Sequence, residues 1–121
     1  MNHIPMATDI AAIAGRALLA LLFVTAGLTK ILGPEPVRDH MRQVHIPLIF
    51  FPAVIAFEIL AGAALALGWH TGIAASLLAA FCVATALLVH RNFSERAERT
   101  QFAKDLALAG ALAFIAATAV T

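Results

Sequence analysis

The chain has 121 residues, 62% of them hydrophobic and 12% charged, with a mean hydropathy of +0.92. Soluble domains carry about 25% charged and about 45–50% apolar residues, and a chain this short has no core large enough to hide the excess; a soluble globular protein is excluded, and lipid is the solvent. A formal net charge of +1 excludes a nucleic-acid footing, and the single cysteine, Cys82, excludes an intramolecular disulfide or a C-x-x-C thiol relay.

No Lys or Arg precedes the first apolar run and no small-residue cleavage site follows it, so the run is expected to stay in the membrane rather than leave as a signal peptide. Crossing roughly 30 Å of hydrocarbon takes about 20 mainly apolar residues. The first span is expected over 10–32 and contains Arg16 and Lys30. Gly33-Pro34-Glu35-Pro36 stops it. Val37, Met41 and Val44 then recur at helical spacing opposite Arg38, Asp39, Arg42 and Gln43, a pattern that predicts a short amphipathic helix in the headgroup plane, ending by Pro47. The second span is expected over 48–67 and contains Glu58. Gly68-Trp69-His70-Thr71-Gly72 predicts a turn, followed by a third span over 73–89. After the polar stretch 91–101, a fourth span is expected over 103–121, with Lys104 and Asp105 at its start and Thr121 at a membrane surface. The expected fold is all-α: one membrane-embedded four-helix bundle over 1–121, with a short interfacial helix between the first two spans.

Charge placement gives this bundle a direction. Lys30, Arg38, Arg42, Arg91, Arg96, Arg99 and Lys104 lie in or beside the first and third connections, and Arg16 is the remaining basic residue. By the positive-inside rule those connections face the cytoplasm of a cell (inner or plasma) membrane, and both termini face outward with the Trp69 turn.

Ionisable groups within spans cost about 2.5–3.5 kcal/mol each on insertion scales. At 1.5 Å per residue, Glu58 is expected roughly 15 Å from the cytoplasmic end of its helix and Arg16 about 24 Å from that surface, an axial gap of about 9 Å that the two side chains can close. Arg16, Ala20, Phe23, Gly27 and Lys30 form one seam, and Phe51, Ile55, Glu58, Gly62 and Leu65 another. Ala75, Ala79, Cys82 and Ala86 give the third span a small-residue stripe, and Gly27 and Gly62 leave room beside the charges. Two readings of an Arg16–Glu58 pair stay open: an ion pair that sets helix register, or a polar site that binds a ligand or handles a proton. Lys30 and Lys104 suit snorkelling to headgroups, and Asp105 suits a helix N-terminus. His70 and His90 mark helix ends, Cys82 reads as a packing residue, and His3, His40 and His45 lack ligand spacing, so no metal site is expected.

Gly15-Arg16, Phe23, Ala26-Gly27-Leu28 and Lys30-Ile31 resemble the first helix of the DoxX family of small four-helix membrane proteins. Pro47, Glu58-Ile59, Gly62 and Gly68 resemble its second helix; His90 with Asn92-Phe93, then Phe102, Lys104, Leu106 and Gly110, resembles the third-helix exit and the fourth helix. The resemblance covers 15–110. Asp105 stands where the family more often has Asn, and Arg91 interrupts what is commonly a His-Asn-Phe run. The resemblance implies a compact four-helix bundle. Some members of the family resemble a small subunit of an archaeal thiosulfate:quinone oxidoreductase, and others are linked to membrane oxidoreductase complexes that answer oxidative or thiol stress.

Three functions remain to be weighed. In the first, the chain is an accessory or quinone-associated subunit of a membrane oxidoreductase, with Arg16, Lys30, Glu58, His90, Lys104 and Asp105 as candidates for ligand binding or proton handling, and Gly27, Gly62 and Gly110 as packing glycines. With no flavin, haem or iron–sulfur motif it needs a protein partner to supply electrons; quinone is the one cofactor implied, and none is covalently bound. In the second, it is a small proton-coupled transporter or exporter acting as a homo-oligomer through Glu58. In the third, it is a structural assembly subunit in which the charges only set packing.

Overall fold

Away from water a lone segment can pair its own backbone N–H and C=O groups only as a helix. The computed structural model describes residues 7–90 and 92–119; His3, Arg91 and Thr121, all named above, lie outside the described residues. Five helices follow in chain order: α1 (Ala7–Leu32), α2 (Glu35–Gln43), α3 (Phe50–Leu67), α4 (Thr71–Leu88) and α5 (Arg96–Thr118). Four of them, over Asp9–Leu32, Phe50–Leu67, Thr71–Leu88 and Arg96–Thr118, are long and apolar enough to cross a membrane. The fold is an all-α membrane bundle.

Helix ends follow local chemistry. Proline in the first turn of α2 suits a position where its missing N–H costs nothing. α3 ends at Gly68, whose φ of 72° lets Gly68 N–H reach Leu65 O and Trp69 N–H reach Ala64 O. His45, with φ of 62°, closes α2 in the same way through Ile46 N–H to Met41 O at 2.9 Å. The largest departure from expectation is α5, which starts at Arg96 rather than 103. Arg, Ala, Glu and Gln are good helix formers, so two polar turns extend the helix beyond its apolar stretch.

α1 packs on α3, α4 on α5, and α3 meets α4 to join the two pairs. The core is lean. Ala20, Ala74, Ala75, Cys82, Ala86 and Ala109 are buried, and only Leu65, Leu78 and Leu112 are large side chains with essentially no exposure among the described residues. Ile10, Leu18, Leu21, Leu60, Leu67, Ile73 and Phe114 point outward. Small residues between helices and large apolar ones outside is the arrangement expected where lipid, not water, surrounds the bundle.

Gly62 sits where a β-carbon would stand 3.0 Å from Val24 Cγ2 and 3.3 Å from Ala20 O, whereas Gly110 has open space and is not the packing glycine expected from its family position. Gly62→Leu should therefore lower the thermal midpoint in detergent, a loss of about 1–3 kcal/mol from overpacking. Gly110→Ala should leave it unchanged or raised, a gain of up to about 1 kcal/mol from helix propensity.

Candidate functional site

Two close approaches decide where the charges of α1 and α3 meet. A β-carbon on Gly27 would lie 2.5 Å from Ile59 Cγ1 and 3.4 Å from Ile55 O; one on Gly62 would lie 3.2 Å from Phe23 Cβ. Gly27 is thus level with 55–59 of the antiparallel α3, and Gly62 with 20–24. The same register sets Arg16 level with the end of α3, where its guanidinium nitrogens lie 3.5 Å from the β-carbon position of Gly68. Between Gly68 and Glu58 lie about 15 Å of helix rise.

The expected Arg16–Glu58 pair is corrected by this register. Lys30 Nζ donates to Glu58 Oε1 at 2.6 Å, with side-chain exposures of 17% and 5%. The expectation lined up residue 32 with residue 48 at one membrane surface. The glycine contacts instead slide α3 along α1 by roughly four residues, about 6 Å. That moves Glu58 away from Arg16 and within reach of the long Lys30 stem.

Beside the pair lies a cavity of about 880 Å³. Phe23, Val54, Phe81, Cys82 and Leu108 form apolar walls, and Val37, His40 and Met41 of α2 close it at one end. Of the residues expected to form a site, Lys30, Glu58, His90 and Asp105 line this cavity. Arg16 is at the far end of α1 from Lys30, and Lys104 is exposed on α5, so neither belongs to it.

The polar edge of the cavity carries a second cluster. His90 Nδ1 lies 2.7 Å from Glu98 Oε2, and His40 Nε2 lies 3.1 Å from Glu98 Oε1 and 3.0 Å from Val89 O. Ionised carboxylate and carbonyl oxygens only accept, so these two ring nitrogens carry the protons and donate. The other nitrogen of His90, Nε2, faces Asp105 Oδ2 at 3.8 Å, and that buried oxygen has no hydrogen-bond partner among the described residues. Two acceptors then face each other.

Sequence reasoning passed over His40 and Glu98. Glu98 fell in a segment expected to be a loop; as part of α5 it stands seven residues before Asp105 on one helix face, and both face His90. A test for i, i+7 acids running back from the apolar stretch would have found it. His40 carried no such signal, because its partners lie on α5 and at the end of α4.

Residues 11–91 match the family model described as DoxX. The chain is also similar to the inner membrane protein YqjF of Escherichia coli (strain K12), at 34% identity over 110 residues that cover 91% of this chain and 85% of that relative. No solved structure matches the chain.

The geometry makes a sharp prediction about the charges. Removing one partner from a buried pair leaves the other uncompensated, at a cost of about 3–5 kcal/mol. Lys30→Met should therefore unfold the chain at markedly lower temperature or denaturant in detergent. Arg16→Met, beside the C-terminal end of α3, should cost far less, with both read by circular dichroism of the purified chain.

Proposed function

We propose that this chain, which belongs to the DoxX family, is a multi-pass inner-membrane subunit that holds a quinone for a membrane oxidoreductase partner. One observation carries the reading: the cavity is apolar over most of its wall yet is also lined by Lys30, Glu58, His90 and Asp105. That division suits a ligand with a greasy body and a polar head. A quinone supplies two carbonyl oxygens that accept hydrogen bonds, and it takes up two electrons and two protons.

The residues present fit such a head group. Lys30 offers ammonium donors beyond the one held by Glu58, and Asp105 Oδ2 is a buried oxygen with its hydrogen-bond capacity unspent. Glu58 and Asp105 can carry protons toward the cavity, and His90 links Asp105 to Glu98. Electrons must come from a partner, since the sequence carries no flavin or iron–sulfur motif. The exporter reading is weaker. An exporter carboxylate must trade its proton for a cation, and Lys30 Nζ already stands 2.6 Å from Glu58.

The proposed orientation places the α2 end of the cavity toward the cytoplasm. Lys30, Arg38, Arg42, Arg96 and Arg99 all lie in or beside α2 and the connection leading into α5. In a Cys82→Ser background, Asn92→Cys should be shielded from an impermeant maleimide in intact cells and Trp69→Cys labelled; the opposite pattern inverts the orientation.

The functional reading is tested by mild-detergent purification from native membranes, followed by solvent extraction and identification of partners. The expected result is about one quinone per chain, strongly depleted in Glu58→Gln, with an oxidoreductase subunit co-purifying. A chain free of quinone, together with unchanged quinone-linked redox activity in membranes that lack it, overturns the reading in favour of a structural subunit.

A further inference from the structure

His40, His90 and Glu98 come from three separate places, α2, the end of α4 and the first turn of α5, yet their ligand atoms all lie within 4.8 Å of one another. We propose that these three side chains bind a single divalent transition-metal cation of the zinc class, with Asp105 as the outer partner of His90. The donor set is two imidazoles and one carboxylate, the combination that holds zinc with a fourth position left open.

The distances fit. Zinc bonds of about 2.0–2.1 Å to nitrogen and oxygen at tetrahedral angles set neighbouring ligand atoms about 3.3 Å apart. His40 Nε2 lies 3.1 Å from Glu98 Oε1 and His90 Nδ1 lies 2.7 Å from the other oxygen, Oε2, while a set of one ligand atom from each residue spans no more than 4.8 Å. The required change is a rotation of side chains that turns one Glu98 oxygen toward both rings and draws in a set now spanning up to 4.8 Å, with His40 giving up its hydrogen bond to Val89 O. A second cavity of about 700 Å³ lies over His40 and Glu98, on the side of the cluster that carries Gln43, His45 and Asn92. It gives an ion a polar approach and leaves space for a water as fourth ligand.

A second observation points the same way. A cation on His90 Nδ1 forces the ring proton onto Nε2, the nitrogen that faces Asp105 Oδ2. That buried oxygen, without a hydrogen-bond partner among the described residues, then faces an N–H at 3.8 Å, which a small rotation of the ring brings into hydrogen-bond range. Metal-bound histidines commonly hand their other N–H to a carboxylate in this manner. The ion would also tie α2 to α5, and α2 is the element that closes the larger cavity. Binding of the cation does not depend on what that cavity holds.

The test is zinc titration, by competition with a chromophoric chelator, of the full chain purified in detergent without a polyhistidine tag. The expected result is one equivalent bound in the micromolar range or tighter, with affinity reduced at least about a hundredfold in His90→Gln and in Glu98→Gln. Asp105→Asn should weaken binding about 10- to 100-fold without abolishing it, and His45→Gln and His70→Gln should leave it unchanged. Cobalt in place of zinc should give the intense visible bands of a four-coordinate site. Circular dichroism of each metal-free variant separates loss of the site from loss of fold. Absence of a saturable equivalent in the wild-type chain, or affinity that survives both His90→Gln and Glu98→Gln, overturns the proposal.

Discussion

The bundle is organised around one ion pair in lipid. A carboxylate near the middle of α3 is costly in hydrocarbon unless a cation meets it. Lys30 does so at 2.6 Å because its stem runs back along α1 from a position nearer the membrane surface. The contact demands that α1 and α3 approach closely, and Gly27 and Gly62 permit that approach by presenting no side chain to Ile59, Phe23 and Ala20. Charge pairing and backbone proximity are thus one constraint. The same register carries Arg16 to the C-terminal end of α3, beside the left-handed Gly68.

Satisfying Glu58 from the α2 side has a consequence for the interior. Lys30, Glu58, His90 and Asp105 all line the cavity, while aromatic and aliphatic residues form most of its wall. α2 lies against the cavity, held by buried Met41, by Arg38 stacked 5.1 Å above the Phe51 ring, and by His40. His40 and His90 stack with ring centres 5.5 Å apart, and His40 lines both the polar cavity and the apolar one. α2 thus contributes Val37, His40 and Met41 to the cavity lining.

Most of this fold was legible in the sequence because hydrophobic length is a strong signal and lipid permits few backbone solutions. The spans, the amphipathic helix and the inward faces of α1 and α3 follow from periodicity alone. The pairing of Glu58 was not legible. Choosing between Arg16 and Lys30 turns on an offset of about four residues between antiparallel helices, and that offset is set by Gly27 and Gly62 contacts which spacing does not reveal. The His40–His90–Glu98 cluster was hidden for a different reason. Its members are far apart in the chain, and hydropathy ends the fourth span before the polar turns of α5 that carry Glu98.

The central claim is that Glu58 is held by Lys30 and not by Arg16. It is tested most directly by solid-state magnetic resonance on the chain in lipid bilayers, with nitrogen-15 in the Lys30 or Arg16 side chain and carbon-13 in the Glu58 carboxyl group. The account predicts a strong dipolar coupling from Lys30 Nζ to that carbon, matching the 2.6 Å nitrogen–oxygen contact, and none from the Arg16 guanidinium. A strong Arg16 coupling with none from Lys30 would contradict it.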